Sequence, residues 1–174
     1  SSKRSLDRGE IPCLRMGNIQ NAAIDWSDLK YAPADEEFDK YLLSENDVLF
    51  NRTNSPIHVG KTAIFKGNRR AVFAGYLIRI QYRKEQIVGD YLNYCLNSNR
   101  AKDFCQKNKN DGINQSNINA QILSTFQIPL PPIKIQQEIV AKIEAERKVV
   151  DGCRELIKTY EDKIKRVIDK VWEE

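Results

Sequence analysis

A run of polar residues that can hydrogen-bond to nucleic acid stands between two apolar segments, DVLF and VGKTAIF: Arg52, Thr53, Asn54 and Ser55. Both flanking segments are rich in β-branched and aromatic residues, so the polar run is predicted to be a loop between two strands. Guanidinium groups bond guanine edges, carboxamides bond adenine edges, and hydroxyl groups bond phosphates or bases. The chemistry available at this loop is therefore nucleic-acid recognition.

A second polar segment, KNKNDGINQSN, is predicted to be an Asn/Gln-rich loop that leads into a short helix. We expect its amide and ammonium groups to join the first loop in binding: Lys107, Lys109, Asn114, Gln115 and Asn117. Three further cations close to the first loop in the sequence complete the candidate set: Lys61, Arg69 and Arg70.

Positive charge is concentrated in the middle of the chain. The 174 residues have a net charge of +4. Residues 50–110 alone contain 12 Lys/Arg against 3 Asp/Glu, whereas residues 1–49 contain 6 against 10 and residues 136–174 contain 9 against 10. A local surplus of this size favours a polyanionic partner over a general role in solubility. A basic face that contacts only solvent is the alternative.

Residues for catalysis are missing from the sequence. His58 is the single histidine, and no serine or cysteine pattern pairs with it. The GKT triplet of VGKTAIF resembles the end of a phosphate-binding loop. That motif requires a glycine where Ser55 stands, and it opens a helix where this segment indicates a strand. We therefore predict no catalytic residue, no cofactor and no nucleotide hydrolysis.

The four cysteines, Cys13, Cys95, Cys105 and Cys153, are widely scattered and form no C-x-x-C pair. This spacing argues against a metal site, and we expect buried thiols in the reducing cytoplasm. We find no apolar run of about 20 residues, so no contact with a membrane is predicted.

The chain divides in the sequence into a globular part, residues 1–132, and a helix, residues 133–174. Residues 10–83 are predicted to be β-rich, with AVFAGYLIRIQY as one long strand. Residues 91–108 have helical spacing, and Asp90 is the expected N-cap. The predicted class is therefore α+β: a mixed, β-rich globular domain followed by one long helix.

The terminal helix follows the prolines of IPLPP and carries a heptad pattern. Its apolar seam, the stripe of residues spaced alternately by four and three, contains one charged member, Glu146, and nine others: Ile139, Ile143, Val150, Cys153, Ile157, Tyr160, Ile164, Val167 and Val171. A seam of this length predicts a coiled coil. Alternate seam positions contain no leucine, so the seam fails the Ile/Leu rule for a parallel two-stranded zipper and fits an antiparallel partner at least as well. Residues 136–174 would form a rod of about 58 Å. A helix folded back on its own domain is the alternative.

Several ordered segments resemble the target recognition domain of type I restriction-modification specificity subunits. They are PCLRMGNIQNAAIDWSDLKY, YLLSENDVLFNRTNSPIHVGKTAIF, FAGYLIRIQY, DYLNYCLNSNRAKDF and NQSNINAQILSTFQIPLPPIKIQQEIVAKIE. The resemblance runs from about Ile11 onward. It implies a non-catalytic subunit in which each of two domains reads half of a split DNA site, with two antiparallel spacer helices between them. It also implies modification (methyltransferase) and restriction subunits as partners.

This chain contains one such domain and one such helix. It therefore corresponds to a natural half-subunit or to a fragment of a longer specificity subunit. A second copy is the economical partner for the seam. An antiparallel homodimer would recognise an inverted repeat in double-stranded DNA with a fixed gap. Two alternatives stay open, a coiled-coil protein–protein adaptor with a basic face and, with less support, an RNA-binding protein.

Overall fold

The computed structural model describes residues 6–33, 36–113 and 115–172. The chain divides into two compact units, Ser1–Ile133 and Lys134–Glu174. The strands of the first unit are, in chain order, β1 (Ile11–Leu14), β2 (Ile19–Gln20), β3 (Ala23–Ile24), β4 (Lys30–Ala32), β5 (Val48–Asn51), β6 (Thr53–Asn54), β7 (Thr62–Ile64), β8 (Val72–Phe73) and β9 (Leu77–Ile80), followed after two helices by β10 (Asn110–Asp111) and β11 (Ser116–Asn117). The α-helices are α1 (Gly89–Leu96), α2 (Asn99–Asn108), α3 (Ala120–Ser124) and, mostly in the second unit, α4 (Ile133–Lys170), and two short 3-10 helices span Met16–Asn18 and Glu36–Tyr41.

Strand β5 is the centre of the main sheet, whose strand order is β7-β5-β9 with both neighbours antiparallel. Its four residues are all buried, because side chains alternate between two covered faces. Leu49 packs into one core cluster with Ala63 and Phe65. Val48 and Phe50 point to the opposite face, where helical residues and Ile118 cover them. This double burial explains why Val48, Leu49 and Phe50 are three consecutive apolar residues.

The segment AVFAGYLIRIQY forms two strands in two sheets, so the prediction of one long strand was wrong. β8 lies parallel to β1 in a sheet of order β4-β1-β8, whereas β9 pairs with β5. Between them the chain turns, and the amide of Leu77 donates to the carbonyl of Ala74 at 3.0 Å. The apolar composition indicated strands correctly, but apolar composition alone does not show where the backbone turns.

The Asn/Gln-rich segment predicted to be a loop contains two short strands. β11 pairs antiparallel with both β10 and β6, which gives a small sheet of order β10-β11-β6. Asparagine and serine disfavour strands by intrinsic propensity, and here the pairing with β6 overrides that preference. The small sheet is what connects the two polar loops.

The predicted helix over residues 91–108 is broken into α1 and α2. Asn97 is the C-cap of α1, and its side chain forms hydrogen bonds with the backbone of Thr62 on β7. Ser98 is the N-cap of α2, and its side chain accepts a hydrogen bond from the amide of Ala101. The N-cap of α1 is Val88, so the assignment of Asp90 was wrong. Asp90 lies in the first helical turn, where its carboxylate pairs with the ammonium of Lys66 at 2.5 Å.

Helix α4 begins directly after Pro132 and has 38 residues, a length of about 57 Å. It ends at Lys170, so Val171 and Trp172 form a turn past the helix instead of extending it. The seam is exposed from Val150 onward, with Ile157 58% and Val167 66% accessible. Mixed sheets followed by one long C-terminal helix confirm the predicted α+β class.

The thiols were predicted to be buried, and this is true of only some of them. Cys13 and Cys105 are buried, Cys95 is partly exposed, and Cys153 is exposed on α4. Burial raises the pKa of Cys105 to about 11. In the part of the chain that the structure describes, no helix is long and apolar enough to span a membrane.

Gly60 provides a test of the packing between the first polar loop and α2. Its φ is +93°, and an added Cβ would lie 2.7 Å from Sγ of Cys105. We expect Gly60→Ala to lower the free energy of unfolding in urea by about 1–3 kcal/mol, because backbone strain and a steric clash act together. Gly75→Ala is the control, since no atom lies within 4 Å of its added Cβ. Equal unfolding midpoints for the two variants would contradict this packing.

Candidate nucleic-acid interface

The structure brings the two polar loops together through β6 and β11. Thr53 lies opposite Asn117, and Asn54 lies opposite Ser116. Nδ2 of Asn117 donates to Oγ1 of Thr53 at 2.6 Å, across 64 positions of sequence. Residues of both loops are thus held in a fixed relation by main-chain and side-chain hydrogen bonds.

Arg52 stands at the end of the central strand, next to this pairing. Its amide donates to the carbonyl of Tyr76 at 3.0 Å, and its carbonyl accepts the amide of Ile118 at 2.9 Å. The preceding residue, Asn51, is fully buried. Within the described residues the guanidinium group of Arg52 has no ion-pair partner, so a fixed backbone presents a charge that can bind an external group.

The tip of the first loop is fastened at several points. The amides of His58 and Val59 donate to the carbonyl of Ser55, at 2.9 Å and 3.0 Å. Nε2 of Gln106 on α2 donates to the carbonyl of Pro56 at 2.7 Å. Ile57 projects from this tip and is 84% exposed. The loop is therefore a supported element and not a free segment.

Lys109 differs from the other predicted binding residues because its charge is already engaged. Its side chain is only 10% exposed, and Nζ lies 2.5 Å from Oδ1 of Asp111. Hydrogen bonds from Lys109 and from the hydroxyl of buried Ser116 lower the pKa of the Asp111 carboxyl. Lys109 thus stabilises the second loop and contributes little net charge to its surface.

Lys61 is tied to the hairpin of β2 and β3. Its Nζ donates to Oε1 of Gln20 at 2.8 Å. It also lines a pocket of about 520 Å³ beneath the first loop, together with Lys102 and Gln106. Its position is close to the paired loops, but its ammonium is partly committed to an internal contact.

Arg69 and Arg70 are not brought to the paired loops. Thr62 lies opposite Phe50 and Ile64 opposite Val48, so the chain after Ile64 leaves the sheet at the end remote from Arg52. The guanidinium group of Arg69 lies 4.5 Å from the ring centroid of Trp26. A cation–π contact of this kind stabilises the fold and holds Arg69 in place.

The remaining predicted residues have separate locations. Lys107 is exposed in the last turn of α2 and lines a pocket of about 510 Å³ with Arg100 and Phe126. Gln115 is exposed, and its carbonyl accepts the amide of Gly112 at 2.8 Å. Asn114 lies outside the described residues.

Sequence reasoning missed several residues that shape this surface. Gln106 fastens the tip of the first loop from a helix distant in sequence, and buried Ser116 bonds Asp111 from within the second loop. Ile113, at the turn between β10 and β11, is fully exposed. Polar loop composition carried no signal for these roles, because each depends on pairing between distant segments. No group of three or more metal-binding side chains occurs among the residues described.

Comparison with known proteins gives a consistent family. The family model of the type I restriction modification DNA specificity domain matches residues 1–166. A putative type I restriction enzyme MjaX specificity subunit from Methanocaldococcus jannaschii is 34% identical over 146 residues, which are 82% of this chain and 34% of that protein. The StySPI specificity subunit from Salmonella potsdam is 26% identical over 147 residues, 83% of this chain and 32% of that protein.

Solved structures give the same fold. A chain from a study of complex assembly and conformational transition of the type I R-M system has a TM-score of 0.68 at 18% identity, covering 96% of this chain and 38% of that one. The HsdS subunit from Thermoanaerobacter tengcongensis has a TM-score of 0.61 at 18% identity, covering 86% and 39%. This chain thus spans about a third of the length of its curated relatives. The extent of the family match and the identity to the MjaX subunit show that the chain belongs to the type I restriction-modification specificity subunit family.

Proposed function

We propose that this protein recognises a DNA sequence as one half of a type I specificity unit. It reads half of a bipartite site and recruits modification and restriction subunits without catalysing a reaction itself. The observation that carries the proposal is the pairing of β6 with β11, which fixes two polar loops side by side. A surface that reads bases must hold several donors and acceptors in a constant arrangement, and this pairing supports such a surface.

The cationic residues predicted from the sequence have two different roles, direct contact with DNA and stabilisation of the fold. Arg52, with its guanidinium free of ion pairs among the described residues, is the candidate for contact with a base. Lys107 is exposed on the neighbouring helix α2 and suits a phosphate contact. Lys109 and Arg69 act through the fold, because both are engaged by Asp111 and Trp26 respectively. Of these four residues from the set predicted by sequence, only Arg52 and Lys107 are therefore proposed to contact DNA directly.

The exposed seam of α4 supports self-association as the second part of the proposal. A second copy of the chain brings a second pair of polar loops, so the dimer reads the same half-site twice. The recognised DNA is then an inverted repeat whose gap is set by the paired helices.

A gel shift with a random duplex library, run at two salt concentrations, tests the DNA-binding proposal. We expect a subset of sequences to be retained, with affinity that falls as salt rises because phosphate contacts release counterions. An absence of any shift, also with the modification subunit present, would contradict it and favour the protein–protein adaptor. Equal retention of every sequence would contradict sequence-specific recognition. It would instead indicate that the basic surface binds DNA without sequence preference.

Replacing Arg52 tests whether the end of β5 contacts a base. Arg52→Ala should weaken binding to a selected duplex by about 1–3 kcal/mol, the value of a good bidentate base contact. Competition binding at constant salt measures the change.

Arg83→Ala is the matched control. Ile80 lies opposite Val48, so the chain leaves β9 at the end of the sheet remote from Arg52, and there Lys84 bonds the carbonyl of Glu45. We expect this variant to bind within about twofold of the wild type, since charges beyond a Debye length are screened. Equal losses for the two variants would remove Arg52 from the base-reading group.

Replacing Ile157 tests self-association. Ile157→Asp places a carboxylate in the seam and should weaken the dimer by about 3–5 kcal/mol, the cost of an uncompensated buried charge. Sedimentation velocity measures the change. Thr159→Asp adds the same charge outside the seam, so this control should leave the dimer intact. A dimer unchanged by Ile157→Asp would show that the seam is not the contact.

A further inference from the structure

We propose that Ile57 and Ile113 form an apolar pair that reads thymine in the major groove, by covering C5-methyl groups of thymine bases in the half-site. The proposal deepens the DNA recognition of the proposed function and rests on it. It adds an apolar contact to a surface whose other candidate groups bind through hydrogen bonds or charge.

Ile57 and Ile113 are the two most exposed large apolar side chains in the described part of the first unit. They are 84% and 101% exposed, whereas the next two, Leu130 and Leu6, are 54% and 48% exposed. Isolated apolar side chains are common on protein surfaces and need no explanation. Here the two extremes both lie on the polar loops that the proposed function assigns to DNA. A partner that covers both side chains would remove this apolar surface from water.

The small sheet directs both isoleucines past the same end. Ser116 on β11 lies opposite Asn54 on one side and opposite Asp111 on the other. β6 and β10 both pair antiparallel with β11, so these two outer strands run in the same direction. Ile57 follows Asn54 on the first of them, and Ile113 follows Asp111 on the second. The topology thus brings two apolar tips from distant parts of the sequence to one edge.

The first tip is rigid before any partner binds. The amide of His58 donates to the carbonyl of Ser55 at 2.9 Å, so Pro56 and Ile57 are the central residues of a turn. Proline favours the first of these two positions because its ring fixes φ. The bond from Gln106 on α2 to the carbonyl of Pro56 holds the turn against the helix. A side chain on such a support loses little conformational freedom when it binds.

The second tip has a polar neighbour that suits the same base pair. The amide of Gly112 donates to the carbonyl of Gln115 at 2.8 Å across the turn that contains Ile113. The side chain of Gln115 is exposed beside this turn. In the major groove a carboxamide bonds adenine, and the methyl group of the paired thymine accepts an apolar contact. A glutamine and an isoleucine at one turn therefore match the two halves of an A·T pair.

The width of this edge favours the major groove. Three strands at the usual spacing of about 4.8 Å are about 10 Å across. The minor groove is about 6 Å wide and the major groove about 12 Å. The base edges of the major groove present hydrogen-bonding groups and a single methyl group, that of thymine. An isoleucine that enters this groove is therefore best covered at thymine.

Replacing thymine by deoxyuridine tests the contact, since this change removes only the C5-methyl group. Each thymine of one half-site in the selected duplex is replaced in turn, and competition binding at constant salt compares the wild type with Ile57→Ala and Ile113→Ala. We expect at least one replacement to weaken wild-type binding about fourfold, the effect of one buried methyl group. The same replacement should weaken one of the two variants by less than about 1.5-fold, because the contact is already lost.

Leu130→Ala is the matched control, since it removes an exposed apolar side chain outside both loops. We expect this variant to bind within about twofold of the wild type and to keep the full effect of deoxyuridine. All three residues are exposed, so the midpoints of urea unfolding should not change. The deoxyuridine series on the wild type needs no variant and tests the contact even if a variant is unstable.

A selected half-site without thymine, or wild-type binding that no deoxyuridine changes, would overturn the inference and leave sequence-specific recognition intact. Weaker binding by the isoleucine variants without any effect of deoxyuridine would also overturn it, in favour of insertion between base pairs. If the wild type selects no sequence at all, the proposed function fails and the inference fails with it. The two failures are therefore distinguishable.

Discussion

The double burial of β5 is the constraint on which the structure depends. A strand covered on both faces must pair on both edges, and β7 and β9 satisfy its backbone groups. The chain leaves this strand at Arg52, directly after buried Asn51, so the first polar loop begins on a rigid base. The second polar loop then adds to the first through main-chain pairing. The candidate interface is thus an extension of the core and not a separate surface feature.

The same arrangement separates cations that are paired inside the chain from cations that are available to an external group. A cation paired inside the chain stabilises its loop but gives little attraction to an external phosphate, because its charge is already neutralised. Lys109 and Asp111 illustrate this, and the contact of Arg69 with Trp26 is a related case. Local positive charge therefore overstates the number of contacts that a nucleic acid can make. The geometry of each side chain decides its role.

Much of the fold could be predicted from the sequence. Strands β5 and β7 were evident because segments rich in apolar, β-prone residues flank a polar turn, and α4 was evident because proline precedes a long heptad pattern. The break between β8 and β9 was not evident, since both halves are equally apolar and only their partners in different sheets separate them.

For the candidate site, loop composition identified the residue types but not their neighbours. The β6–β11 pair joins segments 64 positions apart, and no local pattern encodes such a contact. The end of α4 was also placed too late, because charged and apolar residues continue past Lys170 without a stop signal. Tertiary pairing decides these features, so they require the structure.

A dimer that reads one half-site twice implies a symmetric DNA target with a constant gap. Sequencing the duplexes that the wild-type protein selects from a random library tests this claim most directly. We expect an inverted repeat with one dominant spacing, reduced to a single half-site when the seam is disrupted. Selection of a single asymmetric site by the intact dimer, or of repeats with no preferred spacing, would contradict it.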